Sequence, residues 1–413
     1  MGNNVSQDSK PAKHGLASVA EARAEMLAAT IALEPETVTL EHALGRILAG
    51  DVSASRDQPP FDVSAMDGYA VRSADAPGRL HLAGESAAGR GFAGHCDKGS
   101  AIRISTGAAI PEGADSVVIQ EDVRRYGDEL TVPASRPGEN IRPRGGDFRV
   151  GTLLLARGRF LDGVGVSLAA ASGMAMLPVA RRPRVAILSS GDKLAAPGTT
   201  PGPWQIFDSS THGIAALVRG WGGVPYRLGV AHDEVSAIAR AAEQGLRNGD
   251  LLVVIGGASV GNHDHARPAL MQLGLQLTVE KVAVRPGKPT WFGTTPLGPV
   301  LGLPGNPASA LVCAELFLRP LVAAMQGGDP EPRFRRAALA RPLPANGPRE
   351  HYLRSALSVD SEGRLTVHAF EGQDSSLISV FASANALIRL PSDAPAAAAG
   401  TLVDVLPLDG PGC

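Results

Sequence analysis

The chain has 413 residues, of which 44% are hydrophobic, and this bounds it to a globular protein of about two to four domains. Its 39 Lys and Arg against 41 Asp and Glu leave a formal charge of −2. That balance, together with 4% aromatic residues, argues against nucleic acid and membrane surfaces as partners. Three cysteines without metal-ligand spacing, a polar N-terminus and no apolar run of about 20 residues predict a reduced, cytoplasmic protein.

The first 180 residues combine helical and β-type patterns. Ser18 followed by Glu21 is a capping box, and the apolar residues after it recur at helical spacing, so a helix is expected to begin there. Short apolar runs between Gly, Pro and Asp turns predict a β-rich domain over 54–149. A run of small residues over 163–177 predicts another helix. We expect 15–53 and 150–180 to form a helical linker domain. The predicted β-strands are 69–72, 101–105, 116–120 and 129–132.

Strand and helix patterns alternate over residues 181–329, which is typical of βαβ units and predicts a parallel sheet with helices on both faces. The predicted strands are 185–188, 224–230, 251–255, 277–284 and 300–303, and the predicted helices are 210–219, 233–247, 264–273 and 308–325. Beyond 330 the pattern returns to β, which predicts a C-terminal barrel or sandwich over 330–413. The strands expected there are 335–340, 352–359, 365–369, 386–390 and 402–405. The expected fold class is therefore a multidomain α/β protein.

Three loops of the central domain follow predicted strands, and ligands of open α/β sheets bind beyond such strand ends. They are 189–192, the glycine-rich 256–261, and 303–309. In the last loop Asn306 is placed as helix N-cap and Pro307 as the first helical residue, so free N–H groups would face an anion. Glycines in such loops also serve packing alone, but three loops together favour an anion site.

Charged loop residues add to this interpretation. Arg285 and Lys288 lie on a stiff Pro-Gly loop and could clamp an anion, although a solvated turn is the alternative. Acidic residues lie in further loops, where they more commonly form turns or cap helices. Asp233 is a good candidate N-cap, and Asp264 could coordinate a divalent cation beside a phosphate. Neither a P-loop nor a dinucleotide fingerprint is present, which argues against nucleotide hydrolysis and hydride transfer. These loop acids are Asp67, Asp147, Asp192, Asp233 and Asp264.

Seven motifs then occur in one order along the chain, at 59–72, 102–107, 140–147, 189–192, 256–261, 285–289 and 303–309. The first reads Pro-Pro-Phe-Asp-Val-Ser-Ala-Met-Asp-Gly-Tyr-Ala-Val-Arg. In this set the chain resembles the MoeA-type molybdopterin molybdenumtransferases, related to the E domain of gephyrin. The resemblance implies a central MogA-like α/β domain at 181–329 that binds molybdopterin, flanked by the β-rich, linker and C-terminal barrel-like domains.

The resemblance also implies an activity, which is insertion of molybdate into the dithiolene of adenylylated molybdopterin with release of AMP, normally with Mg²⁺. It implies a homodimer whose cleft draws on both chains, with other molybdenum-cofactor proteins as further candidate partners. The implied catalytic residues are Asp67, Thr106, Asp147, Asp233 and Asp264, with Asp264 also as metal ligand. The implied cofactor-binding residues are Ser190, Gly191, Asp192, Gly256, Gly257, Ser259, Gly261, Pro304, Asn306 and Pro307. The implied molybdate-binding residues are Arg285, Lys288, Ser309, Arg354 and Ser375.

Departures from the family pattern leave an alternative open. Lys193 stands where the family usually has an acid, Val63 replaces an asparagine, and the stretch 262–265 lacks the usual glutamate and tyrosine. The alternative is a catalytically impaired paralogue that binds molybdopterin or the finished cofactor as a carrier or insertion partner for a molybdoenzyme. A purely structural scaffold is a third and weaker interpretation.

Overall fold

The computed structural model describes residues 16–256 and 265–408, which form two compact units. The large unit comprises 16–49, 158–162 and the described residues from 177 onward. The small unit comprises 50–157 and 163–176.

A six-stranded sheet forms the centre of the large unit. In chain order its strands are β1 (Arg184–Ser190), β2 (Val224–Ala231), β3 (Leu251–Ile255), β4 (Gln276–Val279), β5 (Trp291–Thr295) and β6 (Gly298–Leu303). They are arranged β2-β1-β3-β6-β5-β4. The strands β2, β1, β3 and β6 are parallel to one another. At the edge, β5 runs antiparallel to β6, and β4 runs antiparallel to β5. The prediction of a parallel sheet is therefore correct for four strands and wrong at one edge, where β5 and β6 form a hairpin.

Helices cover both faces of this sheet, as the pattern predicted. Because side chains alternate along a strand, Val253 packs on one face and Val254 on the other. The first face carries α1 (Val19–Ala28), α2 (Ser210–Gly220) and the continuous helical segment Pro307–Met325. The second face carries α3 (Val235–Asn248) and α4 (Ala266–Gln272). The capping box before α1 is present, with Ser18 and Glu21 bonded reciprocally.

The segment Pro307–Met325 consists of α5 (Pro307–Cys313), a π-helical turn (Ala314–Leu318) and α6 (Arg319–Met325). By length and composition it could cross a membrane, but 83% of its most apolar stretch is buried in the structure. It is therefore a buried core helix of the large unit.

The C-terminal strands close into a five-stranded barrel. They are β7 (Arg335–Leu339), β8 (Glu350–Val359), β9 (Leu365–Ala369), β10 (Ala386–Leu390) and β11 (Leu402–Pro407). The strands are arranged β8-β9-β7-β11-β10, and β10 pairs in turn with β8. This last pairing closes the sheet, so the C-terminal region is a barrel and not a sandwich. A short helix, α7 (Ile378–Ser383), precedes β10, and Val284–Arg285 adds to the edge of β8 in parallel. The smaller strands of the large unit are Leu16–Ala17, Pro35–Thr39, Met176–Ala180, Leu194–Ala195, Ile206–Phe207 and Lys281–Val282.

The small unit is built on a separate six-stranded sheet, which confirms the four strands predicted there. Its strands in spatial order are Ser116–Ile119, Gly68–Val71, Ser100–Ile104, Gly78–Ser86, Glu129–Val132 and Arg124–Tyr126. Two short pairs, Val52–Ser53 with Leu153–Leu155 and Val63–Ser64 with Ile141–Arg142, and the helix Gly163–Ala171 complete it. The helix predicted over 163–177 is too long, because Gly173 has a φ of +91° and ends it in the left-handed conformation.

Candidate active site

A cleft of about 970 Å³ opens in the large unit at the carboxyl ends of β1, β3 and β6. Its described lining includes Ser190 at the end of β1, Gly256 after β3 and Pro304 after β6. The loop 285–289 and the barrel loop 373–376 form its other walls. The cleft thus lies where the strand order predicts a ligand site, and the barrel helps to enclose it.

At the end of β1, two aspartates hold each other through backbone groups. The Asp192 N–H donates to Asp233 Oδ2 at 3.3 Å, and the Asp233 N–H donates to Asp192 Oδ1 at 3.4 Å. His232 Nδ1 lies 3.0 Å from the same Asp192 oxygen. The N-cap of α3 is Glu234, so the expectation of Asp233 as the cap is wrong by one residue. The Asp233 carboxylate instead bridges the ends of β1 and β2, and Asp233 lines the cleft.

At the end of β6, Asn306 is the N-cap of α5 and Pro307 its first residue, as predicted. The Asn306 side chain does not cap the helix; its Nδ2 donates to Ser375 Oγ at 2.7 Å. The Ala308 N–H donates to the Ser375 carbonyl at 3.1 Å. Ser309 follows in the first turn, nearly buried but part of the cleft wall. Ser375 therefore sits directly over the beginning of this helix.

The loop that carries Ser375 is held from behind by Arg354, which is fully buried and does not belong to the cleft's described lining. Its Nε donates to Gln373 Oε1 at 3.2 Å, and its Nη1 donates to the carbonyls of Asp374 at 2.8 Å and Leu377 at 3.3 Å. Burial lowers the pKa of Arg354. Its Nη2 is buried without a hydrogen-bond partner among the described residues. One face of this guanidinium thus orders the loop, while one nitrogen retains unused donors.

The cation loop presents two exposed charges on a constrained backbone. Arg285 and Lys288 line the cleft, and no carboxylate in the described part of the chain lies within ion-pair distance of either. Between them Gly287 has a φ of +121°, and a Cβ there would overlap Cys313 Sγ. The Thr290 hydroxyl donates to the Gly287 carbonyl at 2.7 Å. Burial raises the pKa of Cys313 to about 12, so this thiol is a packing group and no nucleophile.

The small unit carries the remaining described candidates. Asp67 Oδ1 accepts hydrogen bonds from the Thr106 backbone N–H at 2.6 Å and from the Thr106 hydroxyl at 2.9 Å. These bonds, with a weaker contribution from Arg103, lower the pKa of Asp67. Asp147 is exposed in another loop, and its backbone N–H donates to the Gln58 carbonyl at 2.9 Å. Asp67 is therefore an ionised, oriented carboxylate on the surface of this unit.

Four of the predicted site residues, Gly257, Ser259, Gly261 and Asp264, lie outside the described residues. Over 16–256 and 265–408, no group of three or more His, Cys, Asp or Glu side chains could hold a metal ion. Sequence reasoning missed Arg349, which lines the cleft from the barrel side, because it lies in an inter-strand turn with no motif around it. It also gave no role to Gln373, whose side chain bonds both Arg354 and the Phe370 carbonyl.

These features define a class of protein: a multidomain α/β protein with a cleft, lined by several Lys and Arg side chains, at the strand ends of a doubly covered sheet. Models of known protein families match most of the chain. Family models described as the MoeA N-terminal region (domain I and II), a probable molybdopterin binding domain, and the MoeA C-terminal region (domain IV) match residues 17–173, 186–324 and 336–408.

Individual relatives cover nearly the whole chain. A molybdopterin molybdenumtransferase of Nostoc sp. is 37% identical over 87% of this chain and 85% of its own length. Molybdopterin molybdenumtransferase 2 of Mycobacterium tuberculosis is 36% identical over 91% and 95%. A crystal structure of the molybdopterin biosynthesis MoeA protein from Pyrococcus horikoshii superposes with a TM-score of 0.84 at 30% identity, covering 96% of this chain and 100% of that one. The chain belongs to the MoeA family, and the predicted resemblance is confirmed.

Proposed function

We propose that this protein inserts molybdate into the dithiolene of adenylylated molybdopterin and releases AMP, as a step of molybdenum cofactor biosynthesis. The observation that carries the proposal is the concentration of unpaired anion donors around one cleft. Arg285 and Lys288 face it without carboxylate partners in the described chain, and Ser375 stands above a helix N-terminus on the opposite wall. A dianion such as molybdate and a phosphorylated pterin both require such donors.

Molybdate is a tetrahedral oxyanion, and its insertion replaces oxo ligands by the two dithiolene sulfurs. We propose that Arg285, Lys288, Ser309, Arg354 and Ser375 hold this oxyanion. Support comes from the buried Arg354 Nη2, which lacks a partner in the described chain, because a guanidinium nitrogen left unpaired in the interior is costly unless a ligand uses it. Support also comes from the half-buried Ser375, whose hydroxyl already accepts a hydrogen bond from Asn306 and can donate its own proton.

The pterin and its phosphate are proposed to occupy the strand-end loops. Ser190, Gly191 and Gly256 present backbone to the cleft, and Gly191 and Gly256 have φ values of +142° and +88°. A side chain at either glycine would be strained and would narrow the approach to the backbone N–H groups. Pro304, Asn306 and Pro307 border the same space. Asp192 is proposed to orient this wall through its bonds to Asp233 and His232.

Release of AMP is hydrolysis of a phosphoanhydride, for which carboxylates and a divalent cation are suited. We propose Mg²⁺ as the metal, with Asp264 as a ligand, since carboxylate oxygens are the donors that Mg²⁺ prefers. Asp233, which lines the cleft, supplies a further carboxylate. When bound, the cation would neutralise charge on the phosphates. Asp67, Thr106 and Asp147 of the small unit are also proposed as catalytic, and the mutual bonds of Asp67 and Thr106 keep the carboxylate ionised.

We further propose a cytoplasmic homodimer of four-domain subunits. Light scattering of the purified protein tests the assembly, with a mass of twice 42.5 kDa expected. The activity is tested by incubating the protein with adenylylated molybdopterin, molybdate and Mg²⁺, and by measuring AMP release and cofactor formation. A folded protein that gives no turnover contradicts the proposal.

Lys193 favours a second candidate function. Its side chain lines the cleft, and no carboxylate of the described chain lies within ion-pair distance of it. A cation at this position changes the charge of a wall that is otherwise acidic at Asp192 and Asp233. The alternative is therefore a binding protein that carries molybdopterin or the finished cofactor to a molybdoenzyme without catalysis. Tight binding of the cofactor without turnover would support this alternative. Turnover at the rate of an active member of the family would exclude it.

A further inference from the structure

Three large apolar side chains are exposed at 204–207, shortly after Lys193 in the chain. Trp204 is 89% exposed, Ile206 56% and Phe207 48%. Ile206 and Phe207 also line the cleft. Large apolar side chains grouped in this way at a ligand cleft are more often contact surface than chance exposure.

Trp204 is presented by an ordered turn. The Gln205 N–H donates to the Gly202 carbonyl at 3.0 Å, and the Gly202 N–H donates back to Gln205 Oε1 at 3.0 Å. Pro203 and Trp204 are the central residues of this turn, and proline at the first of the two positions restricts it further. Gln205 Nε2 also donates to the Asp192 carbonyl at 2.9 Å, which fixes the turn to the end of β1. Because the backbone of this turn is already ordered, a ring that stacks on Trp204 need not order the chain there.

Lys193 and the aromatic group are joined through the backbone. The Ile206 N–H donates to the Lys193 carbonyl at 2.8 Å, and Leu194–Ala195 pairs in parallel with Ile206–Phe207. This pairing brings the backbones of Lys193 and Phe207 close together, and both residues line the cleft. A cation without a carboxylate partner in the described chain and an exposed aromatic ring thus share one cleft, which is complementary to a ligand with an anionic end and a planar end.

We propose that Lys193, Phe207 and Trp204 form a subsite for the nucleotide half of the substrate. The purine ring stacks on the aromatic side chains, and the phosphate is held by the Lys193 ammonium. This inference rests on the proposed function, because adenylylated molybdopterin is what would bring a nucleotide to the cleft. A pterin ring shares the stacking chemistry, and the experiment separates the two rings.

Tryptophan fluorescence provides a direct measurement. Trp291 is fully buried and Trp221 partly so, whereas Trp204 faces solvent, so the long-wavelength emission should come from Trp204. AMP is expected to quench this emission saturably, with the signal absent in Trp204→Phe. Inorganic phosphate should bind more weakly and quench less. A free pterin without phosphate that quenches more strongly than AMP would assign the platform to the pterin and overturn the nucleotide subsite.

Variants then test each part by calorimetric titration with AMP. Trp204→Ala is expected to weaken AMP binding by about tenfold, within the range for loss of one base-stacking ring, and Trp204→Phe by less. Lys193→Met should weaken AMP binding, and Lys193→Glu should weaken it more. Tyr126→Ala and Lys98→Met, which remove an exposed aromatic ring and an exposed lysine in the small unit, serve as matched controls and should leave AMP binding unchanged.

The outcomes distinguish this subsite from the proposed function. If the wild type turns over but Trp204→Ala has an unchanged KM and AMP affinity, the subsite is wrong and the function stands. If the wild type gives no turnover while its AMP affinity depends on Trp204 and Lys193, the subsite stands and the function is wrong. If Trp204→Ala halves the mass in solution with AMP affinity retained, the ring is a contact between two copies of the chain and the subsite is overturned.

Discussion

The side-chain amide of Asn306 donates a 2.7 Å hydrogen bond to the hydroxyl of Ser375. Asn306 occupies the N-cap of α5, where an asparagine side chain usually accepts a hydrogen bond from the first helical turn. Here the Ser375 carbonyl accepts the Ala308 N–H instead. The barrel loop thus replaces the side chain as the cap of a helix in the α/β domain, and the two domains form one wall of the cleft.

Ser375→Ala should impair anion binding more than folding. The variant keeps the backbone bond to Ala308 and loses one exposed side-chain bond, so its free energy of unfolding should fall by about 1 kcal/mol or less. Molybdate affinity, measured by calorimetry, should fall clearly because the hydroxyl donor is removed. Ser358→Ala on the exposed barrel surface is the matched control. Unchanged molybdate affinity in Ser375→Ala would remove Ser375 from the proposed oxyanion site.

Arg354→Lys should destabilise the loop that carries Ser375. Lysine cannot reproduce the planar fork that bonds Gln373, Asp374 and Leu377, and each hydrogen bond to a charged group contributes about 1.5–3 kcal/mol. We expect the free energy of unfolding to fall by about 2–4 kcal/mol, and backbone amides over 373–377 to exchange faster with deuterium.

Arg364→Lys is the control for this substitution, since its ion pair with Asp360 is exposed and worth about 0–1 kcal/mol. Equal destabilisation by the two variants would show that Arg354 does not hold the loop. Retained molybdate affinity in Arg354→Lys would separate loop support from anion contact.

The sequence was sufficient to predict features that depend on local patterns. The apolar run at 251–255, the capping box at Ser18 and the Asn-Pro start of α5 each specify their structure within a few residues, and all three are present. The position of Ser375 over α5 joins residues 69 positions apart, and the burial of Arg354 depends on acceptors up to 23 positions away. Such relationships have no local signal, which is why Arg354 could be predicted only as a contact residue.

The prediction for the edge of the central sheet failed for a related reason. Trp291–Thr295 contains a glycine and two threonines, so its apolar pattern is weak, and no strand was predicted. Gly293 is required there because a side chain would collide with the Gln276 carbonyl of the neighbouring strand. The glycine that allows the two strands to approach closely therefore also weakens the apolar pattern by which a strand is predicted.

Asp67 should make stability depend on pH in the acid range. Because Thr106 donates two hydrogen bonds to its carboxylate, the pKa of Asp67 in the folded state is below the value of about 3.9 for an unfolded chain. A lowered pKa contributes stability that is present above about pH 3.9 and is lost as the pH falls through the folded-state value. The stability difference between wild type and Asp67→Asn should therefore be constant from about pH 7 to pH 5 and shrink below about pH 4.

Thr106→Val separates the two bonds, since it removes the hydroxyl donor and leaves the backbone N–H. Its effect should have the same pH dependence and a smaller size than that of Asp67→Asn. Chemical denaturation at a series of pH values measures both. A difference that stays constant down to pH 3 would show that Asp67 titrates equally in the folded and unfolded states.

Gly287→Ala should destabilise the cation loop through two separate effects. The φ of +121° disfavours any L side chain, at a cost of about 1–3 kcal/mol, and the new Cβ would overlap Cys313 Sγ, at a further cost of about 1–3 kcal/mol. Removing the thiol in Gly287→Ala/Cys313→Ala relieves only the second effect. A double-mutant cycle in chemical denaturation should therefore show about 1–3 kcal/mol of coupling between the two positions.

Gly347→Ala is the control for this cycle, because its Cβ would meet open space. It should be near neutral and additive with Cys313→Ala. Additive effects at Gly287 and Cys313 would mean that the thiol yields to the new methyl group without cost. The expected coupling would instead show that Cys313 packs against the loop of Arg285 and Lys288 and sets its position. The molybdate affinity of folded Gly287→Ala should therefore fall, and it should recover in part when Cys313 is replaced by alanine.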